Sequence, residues 1–376
     1  MTLLTVKVPG AESGADAGLK EEKSNVTVSM DNGNLVLAPY VWKRFGAGPD
    51  ARVEATMPGA YFKMMFTGSA TIGLMIDGTA NNGCPRTSMP VIEYSLDEGS
   101  FKHVQLSQTG SVYSLPLAGG LASADRHRLV VYFRAADLAQ NRWRSSICHL
   151  RLAGIELGSG GELLPCPALP KRAIGFGDSI TEGVGVDGLF TSWQLLDVNN
   201  ARATWFPIVC SALNCEYGQL GSGGQGMVRT LEMPPLTDTW DRYDATTSRL
   251  TDGRLLPEPD YVFCCMGTND AQNDITMAYI RWLAAMRKAC PQSWFFCVVP
   301  PLGWHGDEIA AAVAARRRAG DPRVCLIKTA PLQDGFRVGK GPTALAYDGV
   351  HPSVYGNALL GALIAVESQK TIARGE

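Results

Sequence analysis

The sequence has no apolar run close to the roughly 18 residues that a membrane-spanning helix needs. Residues 1–24 lack the charged start and long apolar core of a secretion signal. No Cys-x-x-Cys pair or Cys/His cluster has zinc-binding spacing, so we expect no metal and no other cofactor. A net charge of −2, from 34 basic and 36 acidic residues, weighs against nucleic acid or a membrane surface as partner.

Ten cysteines are present, and several lie in apolar strand-like runs such as 262–266, where cysteine usually acts as a small buried hydrophobe. Together with the missing secretion signal, this predicts reduced thiols and a cytoplasmic location. A secreted protein whose signal has been removed would have the same sequence. The only basic run, Arg316 to Arg318, follows an alanine-rich helical stretch and fits a solvated helix end better than a binding patch.

The length of 376 residues predicts two domains, and 45% hydrophobic with 19% charged residues is a globular composition. Short strand patterns fill the first 165 residues, without a long helical pattern or an internal repeat. The apolar runs 60–66 and 70–76, divided by a turn, are predicted to pair. A hairpin is predicted at 97–99, between strands at 91–95 and 102–106. This half is therefore expected to be an antiparallel β-sandwich of jelly-roll type.

A glycine-rich and then proline-rich link, 158–170, predicts a boundary between domains 1–165 and 166–376. Strand patterns alternate with helix patterns after the link, which predicts a parallel sheet covered by helices on both faces. The predicted strands are 173–176, 261–266, 294–299 and 324–328. The predicted helices are 204–213, 275–289, 308–318 and 353–369.

Ser179 is the first candidate for chemistry, because an apolar strand ends in Gly177-Asp178-Ser179 and a small, polar stretch follows. A serine delivered to the carboxyl end of a parallel strand lies where α/β sheets bind ligands. The competing interpretation is a turn serine that caps the next helix. Short motifs of this kind do not decide between the two.

Three further segments are predicted to meet Ser179 at the same edge of the sheet. Residues 219–226 form a glycine-rich loop, Asn269 follows a predicted strand, and Asp348 and His351 stand three residues apart before the last helix. Each candidate also has a structural interpretation. The glycine-rich loop can be a flexible turn, and Asn269 can be a helix N-cap. Asp348 can form an Asx turn, and His351 can be a structural histidine. Their joint position at one sheet edge favours a common site.

These residue types make up the parts that ester hydrolysis requires. Ser179 can be the nucleophile and His351 the base that moves its proton. Asp348 can hold the imidazole in one tautomer and stabilise its cation. The backbone N–H groups of Ser179 and of a loop glycine, with the Asn269 amide, can bind the oxyanion, each donor contributing about 3 kcal/mol.

The order Gly-Asp-Ser-Ile, glycine loop, Gly-Thr-Asn-Asp and Asp-x-x-His resembles the four sequence blocks of the SGNH (GDSL) hydrolase superfamily, over residues 171–369. The resemblance implies a three-layer α/β/α domain with a parallel sheet. It also implies that Ser179, Asp348 and His351 form a catalytic triad.

The resemblance further implies an oxyanion hole made by Ser179, Gly224 and Asn269. The glycine depends on the register of the alignment, because this chain reads Gly-Ser-Gly-Gly-Gln-Gly where some members have Gly-Phe-Ser-Gly-Asn-Gly. Gly223 is therefore the alternative to Gly224.

A sandwich followed by such a domain resembles carbohydrate esterase family 2, which removes acetyl groups from polysaccharides and sugars. Asp178, Trp240 and Trp304 are the candidate substrate contacts. The two tryptophans are chosen because indole faces suit sugar rings and acyl chains alike. An acetylated carbohydrate or a small ester is the expected substrate. The alternatives are a lipase or thioesterase of the same superfamily, a glycan-binding protein and a sugar O-acetyltransferase. The role of the sandwich and a homo-oligomeric state stay open.

Overall fold

The first domain consists of twelve short strands in two antiparallel sheets. The computed structural model describes residues 24–144, 147–192, 196–229, 233–336 and 344–375. The strands are β1 (Val26–Val28), β2 (Val36–Leu37), β3 (Lys43–Phe45), β4 (Arg52–Ala55), β5 (Tyr61–Thr67), β6 (Thr71–Asp77), β7 (Val91–Leu96), β8 (Lys102–Gln105), β9 (Val112–Gly119), β10 (His127–Ala135), β11 (Leu150–Leu157) and β12 (Glu162–Leu164).

One sheet has the order β3-β4-β11-β6-β9, with β1 also paired to β11, and the other has the order β12-β5-β10-β7-β8, with β2 paired to β5. Alternating residues of both sheets face one core: Phe62, Met64 and Phe66 of β5 are buried, as are Leu74 and Ile76 of β6. The period-two burial follows from the alternation of side chains along a strand. The predicted antiparallel sandwich is confirmed.

The predicted pairing of β5 with β6 is wrong, because the two strands belong to different sheets. Their connection crosses from one sheet to the other instead of closing a hairpin. Gly68, with φ +76°, donates its N–H to Ser123, and the Ser69 hydroxyl accepts the N–H of Gly158 at 2.7 Å. The turn residues were recognised from sequence, but a strand pattern does not name the partner strand.

The hairpin between β7 and β8 is confirmed, with Tyr94 opposite Lys102. Asp97 and Glu98 both have positive φ, at 51° and 60°. Positive φ at two successive turn residues matches the right-handed twist of the paired strands.

The second domain contains a five-stranded parallel sheet and seven helices within the described residues. The strands are β13 (Lys171–Gly177), β14 (Cys215–Gly221), β15 (Tyr261–Cys265), β16 (Trp294–Val298) and β17 (Val324–Ile327). The helices are α1 (Ser179–Glu182), α2 (Trp205–Ala212), α3 (Leu236–Thr239), α4 (Thr276–Ala289), α5 (Gly306–Arg318), α6 (Ala330–Gln333) and α7 (Val354–Arg374).

Sequence analysis missed β14, whose last three residues it placed in the glycine-rich loop. The strand reads Cys-Glu-Tyr-Gly-Gln-Leu-Gly and so has neither a continuous apolar run nor clean alternation. Its glycines serve close packing. A Cβ on Gly218 would lie 2.2 Å from the Pro39 carbonyl oxygen, and one on Gly221 would lie 2.2 Å from the Glu182 nitrogen.

The strand order β14-β13-β15-β16-β17 reverses direction next to β13. Because crossovers between parallel strands are right-handed, this reversal places helices on both faces of the sheet. Accordingly α2 packs against α7, and α4 packs against α5. Ligands of such sheets bind at the carboxyl ends of the strands that flank the reversal. Ser179 follows β13 at this point and Asn269 follows β15.

The predicted domain boundary lies between β12 and β13. The two domains share a polar interface at the amino end of β14. Here Glu216 accepts hydrogen bonds from the Tyr61 hydroxyl and from Lys63, whose Nζ lies 2.6 Å away. Among the helices of the described ranges, none combines the length and apolar character that would let it cross a membrane.

Candidate active site

The turn after β13 places Ser179 at the first position of α1. Asp178 caps the helix, its Oδ1 accepting the N–H of Ile180 at 3.0 Å. A Cβ on Gly177 would lie 1.9 Å from Thr181 Oγ1, so the tight approach of strand and helix requires glycine. The first N–H groups of a helix have no intrahelical partner, which leaves the Ser179 N–H available to a ligand.

The loop before α7 brings His351 and Asp348 to this serine. His351 Nε2 lies 2.9 Å from Ser179 Oγ, and His351 Nδ1 lies 2.6 Å from Asp348 Oδ2. The other carboxylate oxygen of Asp348 accepts the backbone N–H groups of Val350 at 2.9 Å and His351 at 2.8 Å. The Asx turn considered as an alternative for Asp348 is therefore present, and it orients the carboxylate toward the imidazole.

Asp348 is held in its ionised form by these contacts. Partial burial raises the pKa of its carboxyl group, but the hydrogen bonds and charge of His351 and the backbone N–H groups outweigh it and lower the pKa to about 2. A carboxylate that stays charged at neutral pH can fix the tautomer with hydrogen on Nδ1. His351 Nε2 is then free to accept the proton of Ser179.

Phe190 is a neighbour of His351 that sequence analysis did not identify. Its ring meets the imidazole edge-on, with the two ring centroids 5.6 Å apart. Gly185, with φ +65°, lets the loop turn there, since a Cβ would lie within 3.5 Å of both Phe190 and His351. An aromatic residue in an irregular loop carries no chemical motif, so the sequence offered no signal for it.

The glycine loop after β14 separates the roles of Gly223 and Gly224. The Gly223 N–H donates to Glu182 Oε2 at 2.6 Å and is therefore occupied. The N–H of Gly224 makes no hydrogen bond within the described part of the chain, and this residue has φ +74°. The geometry thus leaves Gly224, and not Gly223, free to bind an oxyanion.

Asn269 reaches the same loop from β15. Its Nδ2 donates one hydrogen to the Gln225 carbonyl oxygen at 3.0 Å, which leaves the second amide hydrogen for a ligand. The adjacent Asp270 is fully buried, and its carboxylate accepts the N–H groups of Met227 at 2.8 Å and Val228 at 2.9 Å. The Asn-Asp pair therefore anchors the loop as well as presenting the amide.

The three candidate substrate contacts lie in different environments. Asp178 is fully buried behind α1, and its Oδ2 has no partner among the residues the structure describes. Burial raises the pKa of Asp178 to about 6, although the Ile180 N–H and the nearby Thr268 hydroxyl act to lower it. Trp240 is half-buried and packs against the core.

Trp304, by contrast, has 46% of its surface exposed. It lines a cavity of about 550 Å³ together with Thr268, Asn269, Arg229 and His305. The structure therefore places Trp304 at the same cavity as Asn269, the candidate oxyanion donor, and it gives Asp178 no exposed surface with which to contact a substrate. Within the described ranges, no group of three or more His, Cys, Asp or Glu side chains is placed to hold a metal ion.

The site is of the serine-hydrolase type, because a serine, a histidine and a carboxylate are hydrogen-bonded in series at the carboxyl edge of a parallel α/β sheet. Residues 176–359 match the GDSL-like Lipase/Acylhydrolase family. The resemblance of this part of the chain to the SGNH (GDSL) hydrolases is confirmed.

Two curated relatives extend the likeness beyond this domain. The chain is 25% identical over 279 residues to the cellulase/esterase CelE of Acetivibrio thermocellus, and the match covers 69% of this chain and 32% of CelE. The chain thus spans about a third of that protein. It is 24% identical over 279 residues to the acetylxylan esterase / glucomannan deacetylase of Cellvibrio japonicus, with 70% of this chain and 72% of the relative covered.

Solved structures resemble both domains together. A family two carbohydrate esterase from Clostridium thermocellum, solved in complex with cellohexaose, superposes with a TM-score of 0.71 at 18% identity. The superposition covers 90% of this chain and 99% of the esterase. The two-domain fold expected from the resemblance to carbohydrate esterase family 2 is confirmed.

Proposed function

We propose that this protein is a serine esterase that removes O-acetyl groups from carbohydrate through an acetyl-enzyme intermediate. The observation that carries the proposal is the series Asp348–His351–Ser179, with contacts of 2.6 and 2.9 Å. The names of the two curated relatives, a cellulase/esterase and an acetylxylan esterase / glucomannan deacetylase, support an acetyl group on a carbohydrate as the substrate.

In the first half-reaction, Ser179 Oγ attacks the acetyl carbonyl carbon while its proton passes to His351 Nε2. The carbonyl oxygen becomes an oxyanion, for which the N–H groups of Ser179 and Gly224 and the amide of Asn269 are the available donors. Asp348 accepts the Nδ1–H and stabilises the imidazolium. The intermediate collapses, and the sugar hydroxyl leaves with the proton from His351.

In the second half-reaction, water replaces the sugar. His351 removes a proton from the water molecule, the resulting hydroxide attacks the acetyl-serine, and the same donors bind the second oxyanion. Collapse returns the proton from His351 to Ser179 and releases acetic acid, which ionises to acetate in solution. Each proton moves between Oγ, Nε2 and the incoming or leaving oxygen, so no other acid or base is required.

The cavity beside Asn269 is the proposed place for the sugar. Trp304 offers an exposed indole face at this cavity, and sugar rings present C–H groups that pack on such faces. The cellohexaose bound to the solved family two esterase supports a carbohydrate ligand for this architecture. A cavity open to solvent accepts an oligosaccharide or the end of a polymer.

Release of acetate from acetylated xylan, acetylated mannan, short oligosaccharides and p-nitrophenyl acetate tests the proposal. We expect the wild-type protein to release acetate and a folded Ser179→Ala variant to release none. Turnover by that variant close to wild type would refute the mechanism. Comparison of acetate, butyrate and octanoate esters separates an acetyl esterase from a lipase or thioesterase, since only the former loses activity steeply with chain length.

The same measurements distinguish the other two classes. A glycan-binding protein would bind the oligosaccharides without releasing acetate. A sugar O-acetyltransferase would transfer the acetyl group to an added acceptor sugar in preference to water, so the yield of acetate would fall as the acceptor concentration rises.

A further inference from the structure

The connection between β10 and β11 of the sandwich reaches across the domain boundary to the glycine loop. Leu138 in this connection packs on the loop so closely that a Cβ on Gly223 would lie 2.2 Å from Leu138 Cδ2. Four residues later, the Arg142 guanidinium contacts Glu182 of α1. The sandwich therefore packs directly on the candidate oxyanion loop through Leu138 and contacts the adjacent helix α1 through the charge of Arg142.

Arg142 and Glu182 form a buried ion pair, with 6% and 3% of their surfaces exposed. Burial raises the pKa of Glu182 while the charge of Arg142 acts to lower it. A buried carboxylate without its partner is strongly destabilising, so the two charges depend on each other. Arg142 is fixed from both ends, because its Nη1 donates to the Thr56 carbonyl at 3.0 Å and its own carbonyl contacts His149 Nε2 at 3.0 Å.

The second oxygen of Glu182 continues this series into the site. Glu182 Oε2 accepts the Gly223 N–H at 2.6 Å. This bond fixes the peptide between Ser222 and Gly223. It thereby restrains the next peptide, which carries the free Gly224 N–H. The contacts thus run without interruption from the sandwich, through Arg142 and Glu182, to the loop that the proposed mechanism uses.

We infer that Arg142 and Glu182 are positioning residues that hold the glycine loop in the orientation needed to bind the oxyanion. The sandwich then completes the catalytic site through Arg142, whether or not it also binds glycan. This inference rests on the proposed serine esterase function, because it assigns the Gly224 N–H a role in that reaction. It predicts an effect on kcat, since the donor acts in the transition state and not in substrate binding.

Variants of Glu182 separate positioning from folding. Glu182→Leu removes the acceptor of the Gly223 N–H, and we expect kcat for p-nitrophenyl acetate to fall roughly 10- to 100-fold while KM changes by less than about twofold. Glu182→Gln keeps an oxygen acceptor but leaves Arg142 without its counter-charge. It should therefore lose stability to urea and yet keep kcat within about threefold of wild type.

Lys63→Ala is the matched control, because it also removes an ion pair between the domains. Lys63 contacts Glu216 near the amino end of β14, whereas the glycine loop follows the carboxyl end of that strand. We expect this variant to lose stability with kcat unchanged. Should Glu182→Leu fail to fold, the double variant Arg142→Met/Glu182→Leu replaces both charges with apolar groups and should fold with the same low kcat.

The rate at which a fluorophosphonate labels Ser179 provides a readout that does not depend on ester turnover, because phosphonylation uses the same oxyanion donors. We expect labelling of Glu182→Leu at least tenfold slower than wild type. If wild type labels normally but hydrolyses no ester, the proposed function fails and the labelling rates still test the positioning. If folded Glu182→Leu matches Lys63→Ala in both kcat and labelling, the inference is wrong and the esterase proposal stands.

Discussion

His351 Nε2 lies 2.9 Å from Ser179 Oγ, although the two residues are 172 positions apart in the chain. Ser179 begins α1 directly after β13, and His351 lies in the loop that precedes α7. The contact exists because the parallel sheet places both chain segments at its carboxyl edge. The distance is already that of a hydrogen bond, so transfer of the serine proton requires no rearrangement of the protein.

The two partners of Ser179 are expected to differ in importance. His351→Ala removes the group that moves the proton, and we expect kcat to fall about 10⁴-fold or more. Asp348→Asn keeps the geometry but weakens support for the imidazolium, and its loss should be roughly tenfold to hundredfold smaller. Steady-state kinetics on p-nitrophenyl acetate, with folding checked by circular dichroism, measure both. A larger loss for Asp348→Asn would mean that another group is the base.

Much of the second domain could be predicted because its signals are local. The strands β13, β15, β16 and β17 are short apolar runs, and the triad residues stand in short motifs beside them. Helix α5 begins at Gly306, two residues before the predicted start, because Glu308 marks the first turn and not the cap. Such shifts at element ends leave the positions of Ser179, Asn269 and His351 unchanged.

The features that could not be predicted depend on contacts between distant segments. β14 contains two glycines, Gly218 inside the strand and Gly221 at its end, at which a Cβ would clash with Pro39 and with α1. Its strand character therefore follows from tertiary packing and not from its own sequence pattern. The charge pair of Arg142 and Glu182 joins residues on different domains. The sequence motif also could not decide whether Gly223 or Gly224 is the oxyanion donor. The hydrogen bond from the Gly223 N–H to Glu182 favours Gly224, and it depends on the fold.

Asp178 is predicted to lower stability in its charged form. Its pKa in the folded protein is about 6, above the ordinary value of 3.8, so the folded state binds the proton more tightly than the unfolded chain. The contribution of Asp178 to stability is therefore greatest below about pH 4 and falls as the pH rises through 6. Asp178→Asn is neutral at every pH and keeps an oxygen to accept the Ile180 N–H. We expect it to exceed wild type by about 1–3 kcal/mol at pH 7.

Urea unfolding at pH 4 and at pH 7 measures this effect. The advantage of Asp178→Asn over wild type should be much smaller at pH 4, where Asp178 is protonated in the folded protein and only about half ionised in the unfolded chain. Asp178→Ala is the control that loses the cap, and it should be destabilised at both pH values. An equal difference between wild type and Asp178→Asn at the two pH values would show that ionisation of this group is not the cause.

Asn269 is predicted to act mainly on the transition state. Asn269→Ala removes the amide hydrogen left free for the oxyanion, and kcat should fall roughly 10²-fold with KM changed little. Asn273→Ala is the matched control, because Asn273 lies in the same loop and its Nδ2 donates to the Asp270 carbonyl at 2.7 Å. Steady-state kinetics of both variants test the role of Asn269 as an oxyanion donor. We expect kcat to fall only in Asn269→Ala, because a general disruption of the loop structure would lower kcat in both variants.

Trp304 is predicted to distinguish sugar esters from simple ones. Its indole is exposed at the cavity beside Asn269, so a sugar bound there would pack on it, whereas p-nitrophenyl acetate presents no sugar ring. Trp304→Ala should therefore lower kcat/KM for an acetylated oligosaccharide about 10-fold or more, with kcat/KM for p-nitrophenyl acetate within about twofold of wild type. Trp304→Phe keeps an aromatic face and should recover most of the loss. An equal loss on both substrates would instead place Trp304 in the support of Asn269 and His305, and the sugar would then have to bind elsewhere along the edge of the sheet.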